Sequence, residues 1–270
     1  FDVLSCVNQV YGRMQDNYKF AYPGDNFESS RAHQILCRFG TFSSFIHTLL
    51  QSENFDTDNA VDSIYFQQVL ANSKIIAFDK DWSYPSGNLS TNRASTSLNC
   101  IESSIRNYES SIKILGNHCF KDKTVAFNLI HFIEKISCNN FYNYAYPDNN
   151  YSSEKGHPAL QMLLTLTECT MFVFNNIKTD NPELEVIIKN SFDKVQTCKE
   201  YLSKAYPNGS FNSAVGHSCL SQFINSWENF KEISLTSLKT YFEKQNIIKE
   251  YENKLKEHNI ISSQSTTPDN

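Results

Sequence analysis

The chain has 270 residues, of which 40% are hydrophobic and 20% charged, with a formal net charge of −5. That is enough apolar material for a sizeable core in one large domain or two of ordinary size. Lysines spread along an acidic chain argue against nucleic acid as the main partner, and no apolar run reaches the roughly 18 residues of a membrane span. Against 20 Phe and 14 Tyr there are only 8 Gly and 7 Pro, which favours long helices with few breaks over a many-stranded sandwich.

Taken in chain order, the apolar periodicity predicts helices at about 2–18, 29–51, 58–77, 91–115, 121–138, 153–177, 182–203, 212–230 and 234–258, with stripes such as Leu184, Ile188, Val195, Cys198 and Leu202 facing one way. Glu183 and Glu185 beside Pro182 read as helix-start residues rather than an acid/base pair. The sign-alternating stretch from Lys239 to His258 reads as a solvated helix face. Ser262 to Asn270 has no core-forming residues, so 261–270 is expected to be a disordered tail.

Between the helices one motif recurs: Phe20-Ala21-Tyr22-Pro23, Trp82-Ser83-Tyr84-Pro85, Tyr144-Ala145-Tyr146-Pro147 and Lys204-Ala205-Tyr206-Pro207. Four residues after each proline stands a large apolar residue (Phe27, Leu89, Tyr151, Phe211), and two further on a hydroxyl residue (Ser29, Thr91, Ser153, Ser213). Ten residues after the proline stand His33, Ser95, His157 and His217. Proline fixes its own φ and biases the preceding tyrosine out of the helical region, so the incoming helix stops there; the hydroxyl is placed to cap the next. The fold class expected is therefore all-α: four repeated helix–loop–helix units packed as helical bundles. A boundary near Gly116-Asn117 would divide it into 1–117, with two units, and 118–260, with two units and a C-terminal helix.

Eight cysteines, at Cys6, Cys37, Cys100, Cys119, Cys138, Cys169, Cys198 and Cys219, contain no CxxC pair, so disulfides are the reading rather than a zinc ribbon. Residues equidistant from a turn face each other across an antiparallel helix pair. That suggests Cys6–Cys37, Cys138–Cys169 and Cys198–Cys219 and leaves Cys100 and Cys119 open. Sequons at Asn88, Asn150 and Asn208 and a start at Phe1 rather than Met point to a secreted, extracellular glycoprotein whose signal peptide has been removed.

His33, His157 and His217 could gather a metal by repeat symmetry, but each is better placed to hydrogen-bond its own Tyr-Pro loop. No GxSxG, HExxH, Walker or GxGxxG pattern is present, so neither catalysis nor a cofactor is expected. The Cys138–Tyr146–Cys169 and Cys198–Tyr206–Cys219 spacings, with Cys6–Tyr22–Cys37 as a wider third, resemble the paired Cys-Tyr-Cys motifs of the bicycle proteins of aphids. The second unit departs, having Tyr84 and Cys100 but no leading cysteine. The resemblance implies a salivary effector active through host protein partners. The alternative is an extracellular carrier of a small apolar ligand held between bundles lined with Phe and Tyr.

Overall fold

The structure, a computed structural model, describes residues 2–52, 58–115 and 124–264. It is all-helical: α1 (Val3–Phe20), α2 (Ser29–Ser52), α3 (Ala60–Trp82), α4 (Thr91–Ile114), α5 (Val125–Lys135), α6 (Asn139–Tyr144), α7 (Ser153–Asn175), α8 (Pro182–Ser203) and α9 (Ser213–Gln264). Short side chains start several of them. Asp2 accepts from the Ser5 amide at 2.9 Å, Asn59 from Val61 at 3.0 Å and Asn181 from Glu183 at 3.0 Å, next to a first-turn Pro182, each taking up an N–H that the first turn leaves unpaired. The hydroxyls expected to cap (Ser29, Thr91, Ser153, Ser213) are instead the first helical residues. The cap falls one residue earlier: Ser152 accepts from Lys155 at 3.3 Å and Asn212 from Ala214 at 3.0 Å.

Several boundaries differ from the sequence expectation, among them the end of α3, which runs on to Trp82 where an end near 77 was expected. Where one helix was expected to end at Cys138, α5 stops at Lys135 because Ile136 is extended (φ −68°, ψ 127°); Lys231 Nζ donates to the Ile136 carbonyl at 2.5 Å, and α6 restarts. Where two helices were expected at 212–230 and 234–258, α9 is a single helix of 52 residues, since nothing between Gly216 and Pro268 can break it. It runs to Gln264, so the first part of the expected disordered tail is helical; 265–270 lie outside the described residues, as do Gly116-Asn117 and Cys119.

The four Tyr-Pro loops share one backbone path. Each tyrosine sits near φ −125° and ψ 60°, and a turn of 3₁₀ helix starts at the proline. Two left-handed residues follow: Gly24/Asp25, Ser86/Gly87, Asp148/Asn149 and Asn208/Gly209, with φ between 51° and 83°. That explains the Gly, Asp and Asn there, which tolerate positive φ better than other residues. Each path closes on a backbone bond to the residue before the tyrosine: Glu28 to Ala21 (2.9 Å), Ser90 to Ser83 (2.7 Å), Ser152 to Ala145 (2.8 Å) and Asn212 to Ala205 (2.8 Å). Ala21, Ser83, Ala145 and Ala205 are wholly buried, so only a small side chain fits.

Helices α1–α4 pack on one another, as do α5–α9, and α2 lies along α7 to join the halves. The buried side chains form one continuous cluster through both, from Val3 and Phe39 to Trp227 and Phe230.

The disulfide scheme does not hold. Cys6, Cys37, Cys100, Cys138, Cys169, Cys198 and Cys219 are all free thiols, and all but Cys100 are buried. The register of the helix pairs gives the reason. Across α8 and α9, Ser191 meets Ser234 (2.8 Å) and Cys198 donates to Ser226 Oγ (3.2 Å). Cys198 therefore lies opposite 226, and Cys219 is seven residues away along α9, about 10 Å at the helical rise. Across α1 and α2, Arg38 meets Asn17, which displaces Cys6 from Cys37 in the same sense. The buried thiols behave as small apolar side chains; burial pushes Cys6 and Cys138 up to about 12.

Candidate functional site

The tyrosine of each loop crosses to a different helix pair from its own. Tyr84 Oη lies 2.8 Å from His33 Nδ1 and 3.3 Å from the His33 carbonyl. Tyr206 repeats this on His157 at the same two distances. Tyr146 Oη returns to His217 Nδ1 at 2.8 Å. Both contacts are satisfied together when Nδ1–H donates to the phenol oxygen and the phenol donates to the carbonyl, an assignment that selects the Nδ1–H tautomer. The histidines thus clasp a neighbouring loop, where the sequence reading had each closing on its own. At the fourth position, where Ser95 replaces histidine, Tyr22 Oη reaches the Asn99 side chain at 3.1 Å. Burial raises the phenol pKa of Tyr84 and Tyr206 above the ordinary range and Tyr22 to about 12. Burial lowers His33, with Lys80 adding to it, and lowers His157, helped by His33 and Arg38.

A second loop device has no counterpart in the sequence reading. Nine residues after the tyrosine, a cation folds back over the aromatic residue two before it: Arg31 over Phe20 (4.5 Å), Arg93 over Trp82 (4.9 Å) and Lys155 over Tyr144 (5.4 Å). Arg31 and Arg93 also donate to the carbonyls of Phe20 and Trp82 at 3.2 Å, so they cap the outgoing end of the first helix as well as stacking. The loop position of each cation is visible in the sequence once the register is counted from the tyrosine. Pro23, Pro85, Pro147 and Pro207 open the turns, and Asn88, Asn150 and Asn208 are exposed on them.

Where the halves meet, two places are equivalent by loop register and are filled differently. On one side, Arg38 of α2 reaches into the second half and donates to Gln161 Oε1 through Nε (3.0 Å) and Nη2 (2.6 Å), and to Asn17 Oδ1 through Nη1 (2.8 Å). On the other side, Met162 stands at the position of Arg38, Cys37 at that of Gln161, Phe141 at that of Asn17 and Lys80 at that of Leu202. Among the described residues no side chain fills this second place. It is a cleft of about 360 Å³ with Cys37, Lys80 and Tyr84 on one wall and Phe141, Tyr144 and Met162 on the other. Asp81 and Asn140 stand at its rim.

Lys80 Nζ rides 5.0 Å above the Tyr84 ring and lies 3.4 Å from Asp81 Oδ1, a carboxylate that is 74% exposed. Cys37 Sγ is 3.7 Å from Tyr84 Oη, and burial raises its thiol pKa. A buried, mostly protonated thiol is a poor nucleophile. Among the described residues no group of three or more His, Cys, Asp or Glu stands within reach of one metal ion, and no helix is long and apolar enough to cross a membrane. The arrangement defines an all-helical protein whose recurring polar side chains brace loops. Compared with known proteins, the chain matches no family model, no curated protein and no solved structure.

Proposed function

We propose that this is a non-catalytic binding protein that acts through protein partners, with the far end of α9 as its docking element. One observation carries the reading. From Asn246 to Ile260 every residue of α9 is exposed, yet Ile247, Ile248, Tyr251 and Leu255 put a continuous apolar stripe there, with Tyr251 65% exposed. The spacing i, i+4, i+8 places Ile247, Tyr251 and Leu255 on one face. Lys249, Glu252, Lys254 and Glu257 alternate in sign beside it. A solvated helix has no need of such a stripe; the apolar face of a partner's amphipathic helix, flanked by charges of both signs, matches it.

The secreted, effector-type setting belongs to the same proposal. It is supported by the Cys-Tyr-Cys resemblance and by three sequons on exposed loops, where a glycan can be carried without disturbing the core. The four loops are taken as copies of one duplicated helix–loop–helix unit; their shared φ pattern and shared closing hydrogen bond favour descent from one unit over four separate inventions.

The test is photo-crosslinking from a benzoylphenylalanine at Ile247 in candidate host extract. It should be followed by binding of the identified, purified partner to the full chain and to a Tyr251→Glu/Leu255→Glu variant. The proposal expects that variant to keep its helical content and melting temperature and to lose roughly tenfold or more in affinity. A partner bound equally by both proteins would overturn α9 as the docking element.

A further inference from the structure

The cleft between the halves rests on observations independent of α9. We infer that it is a binding site for a compact hydrophobic acid, whose apolar body lies against Phe141, Tyr144 and Met162 and whose anionic group meets Lys80.

Three features lead there. The first is the contrast between the two equivalent junction places. The side with Arg38 is closed by that side chain's own hydrogen bonds to Gln161 and Asn17, whereas Met162, at the same register, leaves its side open. The second is the wall chemistry. A volume of about 360 Å³ falls in the range of small-ligand pockets, which are mostly apolar with one or a few polar groups that set orientation. Here the walls are three rings (Tyr84, Phe141 and Tyr144), a thioether and the buried Cys37 thiol. The third is the charge. Lys80 replaces the Leu202 of the other side, so a cation stands where the equivalent register needs only an apolar residue. Its side chain runs along Gly40, where a Cβ would meet Lys80 Cε in ordinary contact at 3.6 Å, and it stacks on the Tyr84 ring. Asp81, its one carboxylate neighbour among the described residues, is 74% exposed and free to turn into solvent, which leaves the ammonium available to a ligand anion. Tyr84 and Tyr144 are both neutral phenols, their pKa raised by burial, so they add no competing charge.

The experiment is fluorescence titration of the full chain with two probes of similar shape, the anionic 1-anilinonaphthalene-8-sulfonate and the neutral N-phenyl-1-naphthylamine. Each is run on wild type, Asn140→Trp and Lys80→Leu, with the melting temperature of every variant recorded. Asn140 is exposed at the rim, so a tryptophan there obstructs the mouth without entering the core. The expected result is saturable one-to-one binding of both probes to wild type. Asn140→Trp should weaken both by roughly tenfold or more, and Lys80→Leu should weaken the anionic probe by roughly tenfold while leaving the neutral one within about twofold. Absence of saturable binding to wild type, or binding unchanged by Asn140→Trp, overturns the site. Equal weakening of both probes by Lys80→Leu, or none of either, overturns the assignment of an acid as the ligand.

Discussion

In the first half of the molecule, Phe27 and Leu89 follow the Tyr-Pro loops, and Ala32 and Ala94 stand one residue before His33 and Ser95. In the second half, Tyr151 and Phe211 follow the loops, and Gly156 and Gly216 stand at the positions of the alanines. The exchange is one of volume. The Tyr151 ring lies between α7 and α9, where a Cβ on Gly156 would fall 2.5 Å from Tyr151 Oη and one on Gly216 only 2.3 Å. The larger ring fits because neither helix carries a Cβ beside it. The first half keeps the methyl groups and the smaller fillers. Positions at the same loop register can therefore carry different side chains while the gap they fill stays full, because the interior tolerates neither overlap nor void.

The largest expected effect comes from breaking that exchange. Gly216→Ala and Gly156→Ala should each cost about 1–3 kcal/mol through overpacking, read as a lower melting temperature or denaturation midpoint. Ala32→Gly and Ala94→Gly in the first half should cost less, about 0.5–1 kcal/mol for glycine in a helix. Tyr151→Phe should restore much of the Gly216→Ala loss, since it removes the atom in closest conflict and also a buried hydroxyl with no hydrogen-bond partner among the described residues. Failure of that rescue would break the volume comparison.

A smaller effect concerns pH. Burial lowers the pKa of His33 and His157 below 6.5, so as pH falls through that value the unfolded chain takes up protons before the folded protein does. The stabilising contribution is complete above about 6.5 and is lost progressively as pH falls toward the lowered folded values. Melting temperature should therefore fall on acidification in that window, and a His33→Gln/His157→Gln variant should show a flatter profile. An equally steep profile in the variant would assign the acid sensitivity to other groups. The smallest effect sharpens the comparison at the fourth clasp. Ser95→His should add an imidazole partner for Tyr22 beside its existing bond to Asn99 and stabilise the first half by about 0.5–1 kcal/mol, measured as a rise in denaturation midpoint. No change would show that Asn99 already serves Tyr22 as well as an imidazole would.

Much of the fold is legible along the chain. Proline and the left-handed residues after it are local causes of a helix end and a turn, and all four act within a dozen residues of where they stand. The stripe Leu184, Ile188, Val195, Cys198 and Leu202 is buried as its period requires. The break at Ile136 was not legible, because its carbonyl is taken by Lys231, 95 residues away. The fusion of the last two expected helices was legible in principle, since no Gly or Pro separates them. The cysteine pairing failed for a reason of register. Equal distance from a loop in sequence is equal height in space only if the loop adds no rise, and each of these loops returns an extended segment before its second helix begins.

The site residues divide in the same way. That tyrosines, prolines and histidines form one recurring loop device is written in the sequence at fixed spacings, because those spacings are set by the local geometry of a single turn. Which histidine meets which tyrosine is a matter of how helix pairs dock, and the partners stand 51, 71 and 49 residues apart. The cleft is still further from sequence reasoning. Met162, Lys80 and Phe141 come from three different helices, and the space among them lies where Met162 stands at the register that Arg38 holds on the other side. Local sterics determined the four turns; the packing of α2 on α7 decided where the molecule is closed and where it is left open.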